Sequence, residues 1–362
     1  MSGWPAIDFG HTAFDLAFEK GDVYGIRPDE KRAAKRQLTV AIAGCGGVAQ
    51  AKWLPAIRYL QTRSEPVMIA GLVDPDAGTR TKVAALCGAP ACSTLAELLK
   101  RAKPDLVLVL SPDETHASTA RAAIAAGIPA LVEKPLSRSL GEARDLCAFG
   151  EERGVMLASV ANKRFSPPYA LAHALVGEGR LNSKPTLFSA KFTLGYPYVD
   201  ILEAGTIHIL DLALWFMGPA LRVHAIGTFG AGGRLESVVV NIAFASGAIG
   251  SIVTSAAAMS FKPWERMEII GRNAMLTVED QLELVLYDDE TGPAKSWRPA
   301  IPNTLTFDEQ FGGYAGLLEN VLDAIRGLVP LSATGRDGAC AVALVDTIHA
   351  SIKSGTSVDV LS

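Results

Sequence analysis

The chain has 362 residues, of which 49% are hydrophobic and 20% are charged, and its formal net charge is −4. This length and composition predict a soluble globular protein of two domains and exclude a disordered chain. A pI near 5.9 without any Lys/Arg-rich block argues against nucleic-acid binding and gives no support for a membrane-surface protein.

The cysteines and the N-terminal residues predict a cytoplasmic location. The five cysteines, at positions 45, 87, 92, 147 and 340, are odd in number and scattered, so we expect free thiols in a reducing compartment and no metal site. Acidic residues interrupt the first thirty positions, which argues against a signal peptide. No window of eighteen uncharged apolar residues suggests a membrane span.

Residues 1–37 mix aromatic and acidic side chains before any regular pattern begins. The aromatic residues are Trp4, Phe9, Phe14, Phe18 and Tyr24. Because so many aromatic side chains are costly to leave in water, we expect an N-terminal arm that packs on the body of the protein or on a neighbouring subunit. Disorder is the alternative.

From residue 38 to residue 160, apolar runs of strand length alternate with helical stretches. The predicted strands are Leu38–Ala43, Val67–Val73, Leu106–Leu110, Ile128–Val132 and Val155–Val160. The predicted helices are Gln50–Thr62, Asp76–Leu86, Leu95–Arg101, His116–Ala126 and Ser139–Arg153. Continuous apolar strands separated by helices indicate a parallel sheet covered on both faces, so residues 38–160 are predicted to form a doubly wound α/β domain of the Rossmann type.

After residue 160 the pattern changes to a helix and then successive strands. Ser166-Pro167-Pro168 signals a helix start, with the serine as N-cap. The predicted strands are Thr186–Thr193, Val223–Phe229, Ser237–Phe244, Ala248–Ala257, Arg266–Ile270 and Leu282–Tyr287, and helices are expected again at 313–326 and 337–354. Short turns favour antiparallel pairing, so residues 161–362 are predicted to form an α+β domain with a large, mainly antiparallel open sheet.

The sequence Gly44-Cys45-Gly46-Gly47-Val48-Ala49 stands between the first predicted strand and the first predicted helix. It fits G-x-G-x-x-(G/A), in which the first glycine permits a tight turn and the second lets backbone approach a pyrophosphate. The small last residue lets helix and strand pack closely, and the helix N-terminus attracts negative charge. These six residues therefore predict a dinucleotide-binding loop.

Two later strand ends are expected to line the same cofactor crevice. Asp74 follows the second strand, where its carboxylate can accept hydrogen bonds from ribose hydroxyls and would repel a 2′-phosphate, so NAD is favoured while NADP stays possible. Ser111, Pro112 and His116 follow the strand Leu106–Leu110. Asp74 could instead be a turn residue, and His116 could simply lie in the first turn of the next helix.

Glu133-Lys134-Pro135 follows the strand Ile128–Val132 and completes an ordered set of motifs with Gly44–Ala49 and Ser111-Pro112-x-x-x-His116. With these motifs the chain resembles the glucose–fructose oxidoreductase, inositol dehydrogenase and rhizopine-catabolism (Gfo/Idh/MocA) family. The Asn162-x-Arg164-Phe165 segment and the stretch 335–358 are also similar to that family. The resemblance covers roughly residues 38–362, and the Glu-Lys-Pro element is its most specific motif.

The resemblance implies a nicotinamide cofactor bound by the first domain and a second-domain sheet that lines the substrate pocket. It also implies that Lys134 lies at the cofactor, binds the reacting oxygen and assists proton transfer. As an ammonium, a lysine polarises a carbonyl during reduction, and as a neutral amine it takes a hydroxyl proton during oxidation. Glu133 is expected beside the cofactor, where it orients or charge-balances Lys134. A solvated lysine after a strand is the alternative.

His208 matches a family histidine that acts as acid/base or substrate ligand, and Arg164 matches a family position expected to bind substrate. The family usually has an aspartate four residues before this histidine, whereas this chain has Ala204. Glu203 is five residues before His208 and could substitute only if the turn between them is rearranged. A structural role for His208 is the alternative.

The leading prediction is an NAD(P)-dependent dehydrogenase or reductase that acts on a CH–OH group of a sugar, inositol or related polyhydroxylated compound. A non-catalytic dinucleotide-binding sensor is a second possibility, favoured mildly by Ala204 and opposed by Lys134 and His208. A third is an NAD-dependent glycoside hydrolase without net redox change, which only product analysis would separate. Because an exposed face of the second-domain sheet would favour pairing of copies, a homodimer or homotetramer is expected.

Overall fold

The computed structural model describes residues 34–195, 200–258, 263–298 and 311–361, and these residues form two compact units. The first unit contains the described residues of 34–165 and of 311–346. The second contains those of 166–298 and of 347–361. The predicted division gave 161–362 wholly to the second domain, whereas 161–165 and 311–346 belong to the first unit. Of the predicted N-terminal arm, residues 1–33 lie outside the described residues.

A six-stranded parallel sheet forms the centre of the first unit, in the part of the chain that is described. Its strands are β1 (Leu38–Ala43), β2 (Val67–Val73), β3 (Ala91–Cys92), β4 (Leu106–Val109), β5 (Ala130–Val132) and β6 (Leu157–Ser159). Their order is β3-β2-β1-β4-β5-β6, and every neighbouring pair is parallel. The order in which the chain adds strands reverses between β1 and β4, and open α/β sheets bind ligands at this switch point. The predicted doubly wound fold is confirmed.

Helices connect these strands, and side-chain caps fix where several of them begin. They are α1 (Leu54–Thr62), α2 (Ala77–Cys87), α3 (Leu95–Arg101), α4 (His116–Ala125) and α5 (Leu140–Glu152). Asp76, Thr94 and Ser139 each accept a hydrogen bond from the backbone N–H three residues later, which satisfies a donor that the helix itself leaves without a partner. A π-helical turn over Ala49–Trp53 runs directly into α1.

A nine-stranded sheet forms the second unit, counted over the described residues. Its elements are α6 (Pro167–Gly177), β7 (Leu187–Thr193), α7 (Ile207–Met217), β8 (Ala220–Phe229), β9 (Leu235–Phe244), β10 (Ile249–Ser255), β11 (Trp264–Ile270), β12 (Met275–Glu279), β13 (Glu283–Tyr287) and β14 (Lys295–Trp297). The order is β14-β13-β12-β11-β7-β10-β9-β8-β15, with β15 at Val358–Asp359. Only β7 and β10 pair in parallel among these strands, so the predicted mainly antiparallel sheet is confirmed.

The chain returns to the first unit through α8 (Tyr314–Ile325) and the first part of α9 (Gly335–Ser354). Leu317, Leu318 and Val321 of α8 are fully buried and belong to the same hydrophobic cluster as β1 and α1. Lys35 forms ion pairs with Glu65 and with Asp323 of α8. The C-terminal segment is therefore part of the core that supports the parallel sheet.

The start of α6 differs in one detail from what the sequence predicts. Ser166 is the N-cap residue of α6, but its side chain makes no capping hydrogen bond and its buried hydroxyl has no hydrogen-bond partner. The two prolines therefore mark this helix start without help from the serine side chain.

No helix in the described part of the chain combines the length and apolarity needed to cross a membrane.

Candidate functional site

The turn after β1 can be made only by glycine at its first position. Gly44 has a φ of +103°, a conformation that other residues rarely adopt. A Cβ at this position would lie 2.5 Å from the backbone of Leu110 and Ser111, the residues that follow β4. The Gly44 N–H donates to the Val73 carbonyl at 2.8 Å. The first glycine therefore lets the turn lie directly against the ends of β2 and β4.

The next two glycines face open space. Gly46 and Gly47 are exposed, and a Cβ built on either meets no atom within 4 Å. Val48 is also exposed, while Ala49 is fully buried at the start of the π-helical turn, as close packing of helix and strand requires. The exposed backbone at a helix N-terminus provides N–H groups and a positive dipole end for a phosphate. The space beside these two glycines is therefore accessible to a phosphate group.

Cys45 points away from that space. Its side chain is fully buried, and burial raises the pKa of the thiol to about 11, so the sulfur stays protonated at neutral pH. Its backbone N–H donates to Asp74 Oδ2 at 2.8 Å. The Cys45 side chain therefore packs inside the protein beneath the turn. Only the backbone of Cys45 is placed for the predicted cofactor contact.

Asp74 fixes the geometry where β2 ends. Its Oδ2 accepts from the Cys45 N–H, and its Oδ1 accepts from the Asp76 N–H at 2.9 Å. A carboxylate has about four acceptor positions, so both oxygens can still accept bonds from ribose hydroxyls. Asp74 is thus a turn residue, as the alternative interpretation held, and a carboxylate held rigidly beside the glycine turn.

His116 joins the loops that follow β4 and β5. It is the first residue of α4 and is 1% exposed. Its Nδ1 lies 2.7 Å from the Pro135 carbonyl oxygen, and its Nε2 lies 2.8 Å from the Ser111 carbonyl oxygen. Ser111 Oγ in turn accepts from Thr115 Oγ1 at 2.8 Å. Both ring nitrogens face carbonyl oxygens, and a neutral imidazole has one N–H, so in that form the ring donates to one loop and only contacts the other. This buried position between the two loops favours a positioning role for His116.

Glu133 anchors the backbone at Lys134. Glu133 continues β5, because its N–H donates to the Val109 carbonyl at 2.9 Å. It is 6% exposed, and its Oε1 accepts from Trp53 Nε1 at 2.8 Å while its Oε2 accepts from the Lys134 N–H at 3.1 Å. Trp53 is buried and packs edge-on against Tyr314, with ring centroids 5.3 Å apart.

Lys134 is half-buried at the carboxyl end of β5, between two sets of contacts. Glu133 fixes it from the N-terminal side, and His116 fixes the carbonyl of Pro135 on the C-terminal side. The Lys134–Pro135 peptide bond is cis. The sequence predicts Lys134 and Glu133 at this position, but it gives no sign of Trp53 as the partner of Glu133, because the two are eighty residues apart.

Arg164 makes contacts that differ from its predicted substrate contact. It lies in the 3₁₀ turn Asn162–Phe165 and is 6% exposed. Its guanidinium donates to the Ser332 carbonyl at 2.9 Å and to Asp337 Oδ1 at 3.1 Å, so it ties the start of α9 to the end of β6. These contacts favour a structural role, and the predicted substrate contact of Arg164 is not supported by them.

Asp337 completes this connection through a reciprocal cap on α9. Its Oδ2 accepts from the Thr334 N–H at 2.8 Å, while the Thr334 hydroxyl accepts from the Asp337 N–H at 3.2 Å. Burial raises the pKa of Asp337, but the charge of Arg164 and the bonds from Thr334 outweigh it, so the pKa is lowered. Sequence reasoning missed this acid, although the Thr-x-x-Asp spacing is a capping signal.

His208 belongs to the second unit, where it is the second residue of α7 and is half-buried. A π-helical turn over Leu202–Thr206 leads into this helix and contains both Glu203 and Ala204. Asp211, one helical turn after His208, is 6% exposed. The chain before His208 therefore departs from regular α-helical spacing, and the replacement of the family aspartate by Glu203 stays a prediction.

Comparison with known proteins identifies the family. Residues 38–161 match the model of an oxidoreductase family with an NAD-binding Rossmann fold, and residues 201–277 match the C-terminal domain model of the same family. The chain belongs to the Gfo/Idh/MocA family of oxidoreductases. The predicted family is thus confirmed, and residues 38–161 of this Gfo/Idh/MocA protein form an NAD-binding Rossmann fold.

Individual relatives match nearly the whole chain at low identity. The putative oxidoreductase YceM of Salmonella typhimurium is 24% identical over 316 residues, which cover 86% of this chain and 97% of the relative. Inositol 2-dehydrogenase of Rubrobacter xylanophilus is 23% identical over 339 residues, or 90% and 93% of the two chains. A solved structure of levoglucosan dehydrogenase with NADH and levoglucosan has a TM-score of 0.81 at 18% identity and covers 90% of this chain and 100% of that one.

Proposed function

We propose that this oxidoreductase is an NAD-dependent dehydrogenase or reductase that acts on a CH–OH group of a sugar, inositol or related polyhydroxylated compound. The observation that carries the proposal is Lys134, held on both sides at the end of β5 in an NAD-binding Rossmann unit. Names of relatives agree with this substrate class, among them inositol 2-dehydrogenase and UDP-N-acetylglucosamine 3-dehydrogenase.

The glycine turn and the strand ends around it are proposed to hold the cofactor. The backbone at Gly46 and Gly47 borders open space in which a pyrophosphate fits, and Asp74 presents carboxylate oxygens for ribose hydroxyls. The chain around Ser111 and Pro112 lies against Gly44, which extends the same surface. The negative charge of Asp74 would repel a 2′-phosphate, so NAD is preferred over NADP. When bound, the nicotinamide accepts or donates the hydride.

Lys134 is proposed to handle the proton that accompanies hydride transfer. A lysine ammonium donates a hydrogen bond to a substrate carbonyl during reduction, and a neutral amine accepts the hydroxyl proton during oxidation. Lys134 is half-buried and its backbone is fixed by Glu133, so the side chain starts from one defined position. Positioning of this kind lowers the entropy that is lost when the reactive geometry forms.

His208 is proposed as a substrate ligand or as a second acid/base group. It is half-buried in α7 and lies at the position where the family places a histidine. For Arg164 we propose instead an indirect role, in which it supports the site by joining the end of β6 to α9.

The test is nicotinamide absorbance with NAD and NADP over a panel of sugars, sugar acids and inositols, for wild type and for Lys134→Met. We expect turnover with NAD and a loss of about 10²- to 10⁴-fold in kcat for the variant, because general acid/base groups contribute on that order. NAD binding, followed by calorimetry, should be unchanged. Tight NAD binding without a redox signal from any compound would contradict the proposal, and product analysis would then distinguish a sensor from a redox-neutral glycoside hydrolase.

We also propose that copies of the chain associate through the open face of the nine-stranded sheet. Ile226, Val239 and Val253 are neighbours in register across β8, β9 and β10 and are 66%, 42% and 46% exposed. A row of exposed apolar side chains on adjacent strands is typical of a protein interface. Sedimentation equilibrium should give a dimer or tetramer for wild type and a smaller species for Val239→Asp. A monomeric wild type would contradict this proposal.

The state of the cysteines supports a proposed cytoplasmic location. Cys45, Cys87, Cys92 and Cys147 are free thiols. Several free thiols in one chain are expected in a reducing compartment. Fractionation of cells that express the native gene, followed by immunodetection, tests the location.

A further inference from the structure

The helical turn that leads to His208 has an unusual hydrogen-bond spacing. Over Leu202–Thr206 the chain forms a π-helical turn, and the Ile207 N–H donates to the Leu202 carbonyl, five residues earlier. An α-helix would use the carbonyl four residues earlier. Single π turns of this kind are rare and often occur at functional sites. The turn therefore contains one residue more than an α-helical turn at the same place.

This extra residue changes which side chains are neighbours. In an α-helix, side chains four residues apart lie one above the other. In a π turn the hydrogen bond spans five residues, so side chains five apart are brought closer to lying one above the other. Glu203 and His208 are five residues apart across this turn, and both are half-buried. The five-residue bond joins Leu202 and Ile207, and Glu203 and His208 are the residues that directly follow these two, so they have the same five-residue offset along the turn.

Packing holds the turn in this form. Gly205 lies against the ring of Phe192 on β7, so closely that a Cβ at this position would collide with it. The Thr206 hydroxyl donates to the Ile201 carbonyl at 2.9 Å and lies 2.6 Å from the hydroxyl of Thr254 on β10. Both threonines are fully buried. The π turn is therefore built into the contact with the sheet and is not a frayed helix end.

We propose that Glu203 is a positioning residue for His208. In this proposal its carboxylate accepts a hydrogen bond from the His208 ring, fixes the tautomer and balances the charge when the ring is protonated. Glu203 thereby replaces the aspartate that the family usually has at the position of Ala204. The inserted residue is accommodated by the π turn, so the acid–histidine pair is kept with altered spacing. The proposal rests on the proposed role of His208 in catalysis.

Other charged or titratable groups on the surrounding elements are the alternative partners of His208. Asp211 is three residues after His208 on α7 and is 6% exposed. Asp200 lies 3.7 Å from His349, so it has a histidine of its own. His173 of α6 stacks on Trp215, and Lys191 is exposed on β7. Asp211 is the strongest competitor, because residues three apart also share a helix face.

The test is a histidine titration by NMR on full-length protein labelled at histidine ¹³Cε1. The chain has six histidines, and His208→Gln assigns the resonance of interest. We expect Glu203→Gln to shift the titration midpoint of His208 to lower pH by about one unit, since loss of a neighbouring carboxylate disfavours the imidazolium. Glu203→Asp should restore most of the shift. Asp200→Asn is the matched control, and it should perturb the resonance of His349 while that of His208 stays in place.

An unchanged His208 titration in Glu203→Gln would overturn the proposal, and so would a shift of that titration in Asp211→Asn alone. The NMR titration needs no substrate, so it tests the Glu203–His208 interaction separately from the proposed function. If the proposed function is wrong, the wild-type enzyme shows no turnover. Where turnover is found, Glu203→Gln should lower kcat by about 10- to 100-fold and displace the pH profile of kcat/KM, while the affinity for NAD stays constant. A purely structural role of Glu203 would leave the pH profile in place.

Discussion

Substitution of two glycines in the turn after β1 should have opposite consequences, because one faces protein and the other faces open space. In Gly44→Ala the new methyl group lies 2.5 Å from the backbone of Leu110 and Ser111, at a φ of +103°. Positive-φ strain costs about 1–3 kcal/mol and overpacking against rigid backbone about the same, so we expect a loss of about 3 kcal/mol in the free energy of unfolding. For a domain of this size the melting temperature should fall by about 6–12 °C.

Gly46→Ala is the matched variant. Its methyl group meets no protein atom, so the free energy of unfolding should change by less than about 0.5 kcal/mol. The same methyl group occupies space that we assign to the pyrophosphate. Loss of one hydrogen bond to a charged phosphate costs about 1.5–3 kcal/mol, which weakens NAD binding by about 10- to 100-fold.

Thermal unfolding without cofactor and calorimetric titration with NAD measure the two effects separately. The expected pattern is an unstable Gly44→Ala variant and a stable Gly46→Ala variant that binds NAD poorly. A Gly44→Ala protein with the wild-type melting temperature would refute the steric reasoning. Normal NAD affinity in Gly46→Ala would refute the assignment of the open space.

Three further predictions concern the residues around this turn. Trp53→Phe removes the indole donor to buried Glu133, and kcat should fall by about tenfold or more while the NAD dissociation constant is unchanged. An equal fold-loss in kcat and in NAD affinity would contradict a role of Trp53 in positioning Lys134. Asp74→Asn removes the charge that repels a 2′-phosphate, and the ratio of NADP to NAD affinity should rise by about tenfold, which fluorescence titration with both cofactors measures; an unchanged ratio would show that another residue sets the preference. Because the pKa of Asp337 is lowered in the folded protein, this group stabilises the fold above its unfolded pKa of about 4, and the contribution is lost as pH falls through the folded value. Denaturant titrations measure the difference in unfolding free energy between wild type and Asp337→Asn. This difference should be constant near neutral pH and shrink below about pH 4. A difference that grows on acidification would contradict a stabilising role of the Asp337 carboxylate.

The elements that the sequence predicts well are those whose pattern is local. The predicted bounds of Leu38–Ala43 and Val67–Val73 agree with β1 and β2, because both are continuous apolar runs that end in turn residues. The two-residue strand Ala91–Cys92 was not predicted, since so short a run has no periodicity to detect. The parallel pairing of β7 with β10 was not predicted either, because strand order in a mixed sheet depends on contacts distant in sequence.

The candidate site shows the same limit. The glycine turn, Asp74 and Lys134 follow strands that the sequence reveals, so their neighbourhood in the first unit could be expected from the fold. Two contacts of the site join residues that are far apart in the sequence: the hydrogen bond from Trp53 to Glu133 and the ion pair between Arg164 and Asp337. These residue types are common in cores and caps, so the sequence does not single them out. A π turn is equally hard to predict, because one extra residue leaves the apolar pattern of a short helix almost unchanged.

The central claim is that Lys134 transfers the proton that accompanies hydride transfer in an NAD-binding Rossmann unit. The most direct measurement is a single-turnover reaction, in which enzyme with NAD already bound is mixed with a substrate found in the panel. We compare wild type, Lys134→Arg and Lys134→Met by nicotinamide absorbance. The account predicts that hydride transfer slows by about 10²-fold or more in both variants while each still binds NAD. A hydride-transfer rate equal to that of wild type in Lys134→Met would contradict it.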